Sequence, residues 1–210
     1  MKILILISSL CLITFFFDSG NNTLEAGLVS VARTQIGKTV IYDPGYRILN
    51  YPNGDIPMDR GVCTDVIIRA MRSCFNLDLQ RLVHEDMKLH FSEYPQKWGL
   101  NCPDKNIDHR RVPNIQVFFE RQGWSLNIPE HAKDYEPGDI VTCDVPPHLP
   151  HIMIVSNKRN RRGVPFVIHN IGAGVQEEDR LSEFKITGHY RVIIPGRLNS
   201  TDTNNCGVYK

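Results

Sequence analysis

Three residues of this chain have the types and the surroundings that nucleophilic catalysis needs. Cys63 begins a segment with helical apolar spacing, and His151 and His169 each lie in a short apolar run typical of a strand. The partial positive charge at a helix N-terminus favours a thiolate over a thiol. An imidazole can accept the thiol proton and later donate it, and a second polar group can orient that imidazole. The pattern predicts Cys63 as nucleophile, His151 as general base and His169 as the orienting group.

The relation between the two histidines depends on the hairpin that joins their strands. The polar segment 157–163 predicts a turn, and a hairpin symmetric about Asn160 places His151 directly opposite His169. Their Cβ atoms would then lie about 4.5–5.5 Å apart on one face of the sheet. A shift of one residue would move one histidine to the other face.

Each of these residues also has an ordinary structural interpretation. A cysteine at a helix start is often a small buried core residue, and a strand histidine often bonds a backbone carbonyl. His148 is a rival for the role of base. A metal site made by Cys63, His151 and His169 is ranked lower, because the chain lacks local metal-ligand spacing.

A long irregular segment, 42–57, leads directly into Cys63. It is rich in Gly, Pro, Asn and Asp, and a loop of this length in a compact domain is more often functional than idle. We expect it to form one wall of a cleft, with Tyr42, Asp65, Asp108 and Arg110 as candidate substrate-binding residues. Packing, stabilisation of the helix start and an ion-pair network are the respective alternatives for Tyr42, Asp65 and the 108–111 run.

The composition bounds the environment and the partners. Lys2 followed by an apolar run predicts a secretory signal peptide over 1–20, too short for a transmembrane helix, so we expect a periplasmic or secreted protein. Contact with a membrane is expected only through an uncleaved leader. A formal net charge of +1 gives no reason to expect a nucleic-acid partner. We expect the rest of the chain to form one domain over 28–196, followed by a tail over 197–210, and we expect the protein to be a monomer.

Five cysteines lie beyond the leader, an odd number that predicts a free thiol and allows two disulfides.

The secondary-structure pattern predicts an α+β fold. Helical spacing comes first and short apolar runs bounded by turn residues come second, an order typical of helices packed on a mainly antiparallel sheet. The expected helices are 24–36, one from Cys63 to Cys74, 80–91 and 113–122; the expected strands are 139–143, 152–155, 164–171 and 190–194.

Several motifs together resemble a bacterial family of exported proteins that is catalogued as a domain of unknown function and includes YijF-like proteins. The motifs are Gly61-Val-Cys-Thr-Asp-Val-Ile-Ile-Arg-Ala70 and the segments 82–87, 106–114, 137–141, 151–156, 169–172 and 188–191. The family in turn is similar to the NlpC-type branch of the papain-like cysteine peptidases. In that branch a cysteine opens a helix packed on an antiparallel sheet, a histidine begins the following strand, and a polar residue, often histidine, lies on the next. This chain departs from the NlpC-type pattern at Thr64-Asp65, where Ser-Gly is usual, and at Cys143, where an aromatic residue is expected.

The resemblance implies a papain-like (NlpC-type) fold and an amidase or endopeptidase. Cys63, His151 and His169 would act through an acyl-enzyme on cell-wall peptide or another peptide substrate, with no metal or cofactor. Two alternatives remain open: a module that binds cell-wall peptide without cleaving it, and a thiol acyltransferase or thioesterase on the same fold.

Overall fold

Four helices precede the main sheet. The computed structural model describes residues 27–194, so the expected signal peptide (1–20) and tail (197–210) lie outside the described residues. The helices are α1 (27–33), α2 (Cys63–Phe75), α3 (Leu79–His90) and α4 (Val112–Arg121). The sequence placed the ends of α2, α3 and α4 within one residue, because each has an apolar stripe between clear stop signals. Helix α1 ends three residues earlier than predicted, and residues 34–38 form a turn.

Six strands form one antiparallel sheet. Within residues 27–194 the strands are β1 (Ile41–Tyr42), β2 (Arg60–Gly61), β3 (Ser125–Leu126), β4 (Ile140–Val145), β5 (Leu149–Arg159), β6 (Pro165–Asn170), β7 (Val175–Glu178) and β8 (Lys185–Tyr190). The order in the sheet is β3-β8-β4-β5-β6-β7, and β1 and β2 form a separate parallel pair. The predicted α+β class with a mainly antiparallel sheet is therefore confirmed.

One predicted strand is misplaced and one strand is missed, for the same reason. The strand predicted over 190–194 lies instead over Lys185–Tyr190, and β7 was not predicted. Both strands are poor in apolar residues, and β7 reads Val-Gln-Glu-Glu, so neither has the alternation that marks a strand in sequence.

Both faces of the sheet are buried. Side chains alternate between the faces along each strand, so Ile152 and Ile154 of β5 pack with the helices, while Met153 and Val155 pack on the opposite face. The segment after β7, which includes Leu181, covers that opposite face. No helix within residues 27–194 is long and apolar enough to span a membrane.

The register of β5 and β6 differs from the predicted one by two residues. Ile154 pairs with Ile168 and Val155 with Val167, and the pairing is irregular between Val155 and Arg159. His151 and His169 are therefore diagonal neighbours and are not directly opposite. Because the shift is an even number, both side chains still lie on one face of the sheet.

Candidate active site

Helix α2 begins beside a gap between β5 and β6. The N–H of Val155 bonds the carbonyl of Asp139 on the β4 side at 2.8 Å. Backbone groups alternate along an antiparallel strand, so the N–H of Ile152 points toward β6. Pairing with β6 starts only at Ile154, and the Cys63 sulfur interacts with the Ile152 N–H. The sulfur therefore lies against the backbone of the residue that follows His151.

A buried amide holds the helix start in this position. Asn170, at the end of β6, is fully buried and donates from Nδ2 to the carbonyl of Gly61 at 2.9 Å. Gly61 itself leaves little room, since an added Cβ would lie 3.1 Å from the Cβ of Asp65. The only sequence signal for Asn170 was its place directly after His169 in an otherwise apolar run.

A buried ion pair fixes the first turn of α2. Asp65 accepts the N–H of Val62 at 2.7 Å and pairs with Arg110 at 2.9 Å. Arg110 also donates to the carbonyls of Asp43 and Gly45, at 2.9 and 3.1 Å. One guanidinium thus ties the irregular segment after β1 to the turn that carries Cys63.

The two histidines form a hydrogen-bonded pair beneath the surface. His151 Nε2 lies 2.8 Å from His169 Nδ1, and the ring centroids are 5.0 Å apart. His169 Nε2 lies 3.0 Å from a carboxylate oxygen of Glu178 on β7. His151 is 4% exposed and His169 is fully buried. The sequence correctly predicts that the two histidines lie close together, but nothing in it indicates the role of Glu178.

Burial controls the charge of the thiol and the imidazoles. Desolvation raises the pKa of Cys63 to about 12, and nearby Asp65 adds to the rise; the N–H groups of Ile152, Thr64 and Cys63 itself oppose it. Desolvation also lowers the pKa of His151 to about 3 and lowers the pKa of His169. The predicted preference for a thiolate is therefore reversed in the free protein. The hydration free energy that a buried thiolate loses exceeds the stabilisation that the helix N-terminus provides.

The Cys63 thiol and the His151 imidazole are both uncharged, and the sulfur lies against the backbone N–H of Ile152, the residue after His151. Cys143, directly opposite His151 on β4, interacts electrostatically with Cys63. Within residues 27–194, no hydrogen bond joins the Cys63 sulfur to a ring nitrogen of His151. Because burial raises the pKa of the Cys63 thiol and lowers the pKa of His151, the free protein holds no preformed thiolate–imidazolium pair.

Cys63 lies on the floor of an open cleft of about 600 Å³. Tyr42 and Pro44 line one wall, and Leu149 and its neighbours His148 and Pro150 line another. Cys63 is only 5% exposed, so a substrate must enter the cleft to reach it.

The remaining wall of the cleft is aromatic and basic. Trp98 is exposed, and the guanidinium of Arg111 stacks on its ring at 4.0 Å while it pairs with buried Asp108 at 2.8 Å. Lys97 is exposed beside them and makes no ion pair within residues 27–194. Among the described residues, no acidic side chain lines the cleft. The charged side chains that line the cleft are therefore all cationic.

The four predicted substrate-binding residues fall into two groups. Tyr42 and Arg110 line the cleft. Asp65 and Asp108 are buried behind it, where each carboxylate pairs with an arginine. Their positions match the alternative interpretations, in which Asp65 stabilises the helix start and the 108–111 run is an ion-pair network.

The described residues also bear on the cysteines and on metal binding. Cys63, Cys102 and Cys143 are free thiols, so two disulfides do not form among the five cysteines beyond the leader. Within residues 27–194, no group of three or more His, Cys, Asp or Glu side chains has a geometry that could hold a metal ion.

Comparisons with known proteins place the chain in a family. The family model described as "Domain of unknown function (DUF1287)" matches residues 29–192, a range that contains every site residue named above. A protein of Escherichia coli (strain K12) described as "Uncharacterized protein YijF" is 54% identical over 163 residues, which are 78% of this chain and 79% of that protein. The expected resemblance to YijF-like proteins is thus confirmed, and the chain belongs to the DUF1287 family.

Proposed function

We propose that this protein is an exported thiol hydrolase, an amidase or endopeptidase that cleaves amide bonds of cell-wall peptides. The observation that carries the proposal is the position of Cys63. It lies at a helix N-terminus, on the floor of an open cleft, against the strand that carries the first of two hydrogen-bonded histidines. Export is proposed from the leader-like sequence of residues 1–20.

The order of the elements supports a papain-like arrangement of the NlpC type. The helix that starts with Cys63 packs on β5 of an antiparallel sheet, and the two histidines follow on β5 and β6. This match of order and contact is the basis for extending the proposal from a reactive thiol to a peptide hydrolase, which is an argument by analogy.

The proposed reaction begins with an uncharged pair. The Cys63 sulfur attacks the carbonyl carbon of the substrate while His151 accepts the thiol proton. The backbone N–H of Cys63, at the helix start, stabilises the oxyanion. When the C–N bond breaks, His151 donates that proton to the leaving amine, and a thioester remains on Cys63. Water then attacks the thioester carbonyl carbon and gives a proton to His151. The C–S bond breaks, the carboxylic acid product leaves, and His151 returns the proton to the Cys63 sulfur, which restores the thiol.

The charge of the cleft favours a substrate that carries a carboxylate. Lys97 is exposed and unpaired within the described residues, and Arg111 presents a guanidinium stacked on Trp98. A peptide carboxylate can pair with either cation, and the ring of Trp98 can cover apolar parts of the same peptide. Acidic cell-wall peptides have this chemistry.

Digestion of purified peptidoglycan tests the proposal. Wild-type protein, Cys63→Ala and Cys102→Ala are incubated with sacculi, and released fragments are identified by mass. Cys102 is an exposed free thiol that does not line the cleft, and it is the matched control. We expect new amine ends with wild type and Cys102→Ala, and none with Cys63→Ala. Release of the same fragments by Cys63→Ala would refute the mechanism, and binding of fragments without cleavage by wild type would favour a binding module. An added amine that appears in the product would identify an acyltransferase.

A further inference from the structure

A diagonal row of three side chains crosses three neighbouring strands. His151 lies on β5, His169 on β6 and Glu178 on β7. Val167 is directly opposite Glu178, so Glu178 is a diagonal neighbour of His169, as His169 is of His151. All three lie on the face of the sheet that points away from the helices. The next residue on β7, Glu177, lies on the other face and pairs with Arg33 of α1 at 2.7 Å.

With both imidazoles uncharged, as their lowered pKa values indicate, the hydrogen bonds of this row permit one arrangement of protons. A carboxylate only accepts hydrogen bonds, so Glu178 requires a proton on His169 Nε2. A neutral imidazole carries one proton, so His169 Nδ1 is then an acceptor. The bond of 2.8 Å to that atom requires a proton on His151 Nε2. His151 Nδ1 is left with a free electron pair, which is the form that a general base needs.

We propose that Glu178 is a positioning residue that fixes the tautomers of His169 and His151 and so makes His151 Nδ1 the base. This inference rests on the proposed function only in giving His151 the role of base. Glu178 is not among the residues that line the cleft, and it acts through His169.

The same row of side chains can stabilise the positive charge that forms on His151 during the proposed reaction. When His151 Nδ1 accepts the thiol proton, the ring becomes an imidazolium that keeps its Nε2 proton bonded to His169. No further proton transfer is needed, and the Glu178 carboxylate lies one ring away. The other charged groups that act on His169 are Arg180, which lies 3.8 Å from Glu178, and Glu183, which pairs with Arg180.

Nitrogen-15 NMR of the histidine rings tests the inference directly, because it identifies which ring nitrogen carries the proton. The samples are wild type, Glu178→Gln and Glu183→Gln at neutral pH. Both variants remove a carboxylate that acts on His169, but only Glu178 is hydrogen-bonded to the ring. The side-chain amide that Glu178→Gln introduces can donate or accept, so it no longer selects a tautomer.

We expect wild type and Glu183→Gln to carry the proton on Nε2 of both histidines, and Glu178→Gln to show a mixture at both rings. We also expect Glu178→Gln to lower the rate of Cys63 acylation by a p-nitrophenyl ester about 10- to 100-fold, by analogy with groups that orient a functional histidine. A wild-type His151 protonated on Nδ1, or a Glu178→Gln protein with unchanged tautomers, would overturn the inference. The NMR result does not depend on turnover, so it remains informative if the protein hydrolyses nothing.

Discussion

Alkylation of Cys63 by iodoacetamide should be slow at neutral pH and should rise steadily as the pH is raised. A thiol with a pKa of about 12 is ionised about three thousandfold less at pH 7 than one at the ordinary value of about 8.5. The more basic thiolate is the better nucleophile, which returns a factor of about 25 to 60. The net expectation is a rate about 50- to 130-fold below that of an ordinary thiol, and burial of the sulfur slows it further.

The assay follows the alkylated peptides by mass over a range of pH values. Cys102 is exposed in the same molecule and provides an internal reference rate. We expect the logarithm of the Cys63 rate to rise by about one per pH unit without a plateau near neutral pH, because burial keeps the thiol protonated. His151→Ala should leave the shape of this profile unchanged. A fast Cys63 with a plateau near neutral pH that disappears in His151→Ala would refute the reasoning and establish a preformed thiolate–imidazolium pair.

Three further predictions follow from the contacts around the cleft. Arg110→Met should lower the free energy of unfolding by about 3–5 kcal/mol in urea titrations, because it leaves the buried Asp65 carboxylate without its cation, and adding Asp65→Asn should recover part of the loss. Asn170→Ala should lower the free energy of unfolding by about 1–3 kcal/mol, because the Gly61 carbonyl loses a buried hydrogen-bond donor. An unchanged urea midpoint would show that this hydrogen bond does not hold the start of α2. Lys97→Met should raise KM by up to about fivefold for a peptide substrate with a free carboxylate and leave KM for the same peptide in amidated form unchanged. An equal effect on both peptides would contradict the proposed charge recognition.

The helical half of the fold follows closely from the sequence. Helix α2 has a continuous apolar stripe, an acidic residue in its first turn and an αL residue, Asn76, after its end. Such signals are local, so they can be read without knowledge of the partner elements. The register of β5 and β6 is not local. Arg159 pairs with Pro165, so the hairpin is centred beyond Asn160, and the irregularity between Val155 and Arg159 removes part of this displacement and leaves two residues. The shared face of the histidines survived the error because side chains alternate with a period of two.

Two features of the site were beyond the reach of the sequence. Glu178 lies on a strand with a single apolar residue, so neither the strand nor the carboxylate beside His169 could be inferred from periodicity. The raised pKa of Cys63 depends on how completely the sheet and the cleft walls enclose the sulfur. The sequence shows a cysteine at a helix start, which favours a thiolate, but not the burial that outweighs it.

Detection of an acyl group on Cys63 tests the central claim most directly. Wild-type protein and His151→Ala are mixed with peptides prepared from peptidoglycan, quenched in acid within the first turnover, and mapped by mass. We predict a peptide thioester on Cys63 in wild type that disappears as product accumulates, with none formed by His151→Ala on the same timescale. Product formation without any covalent intermediate on Cys63, or an acyl group on another residue, would contradict the account.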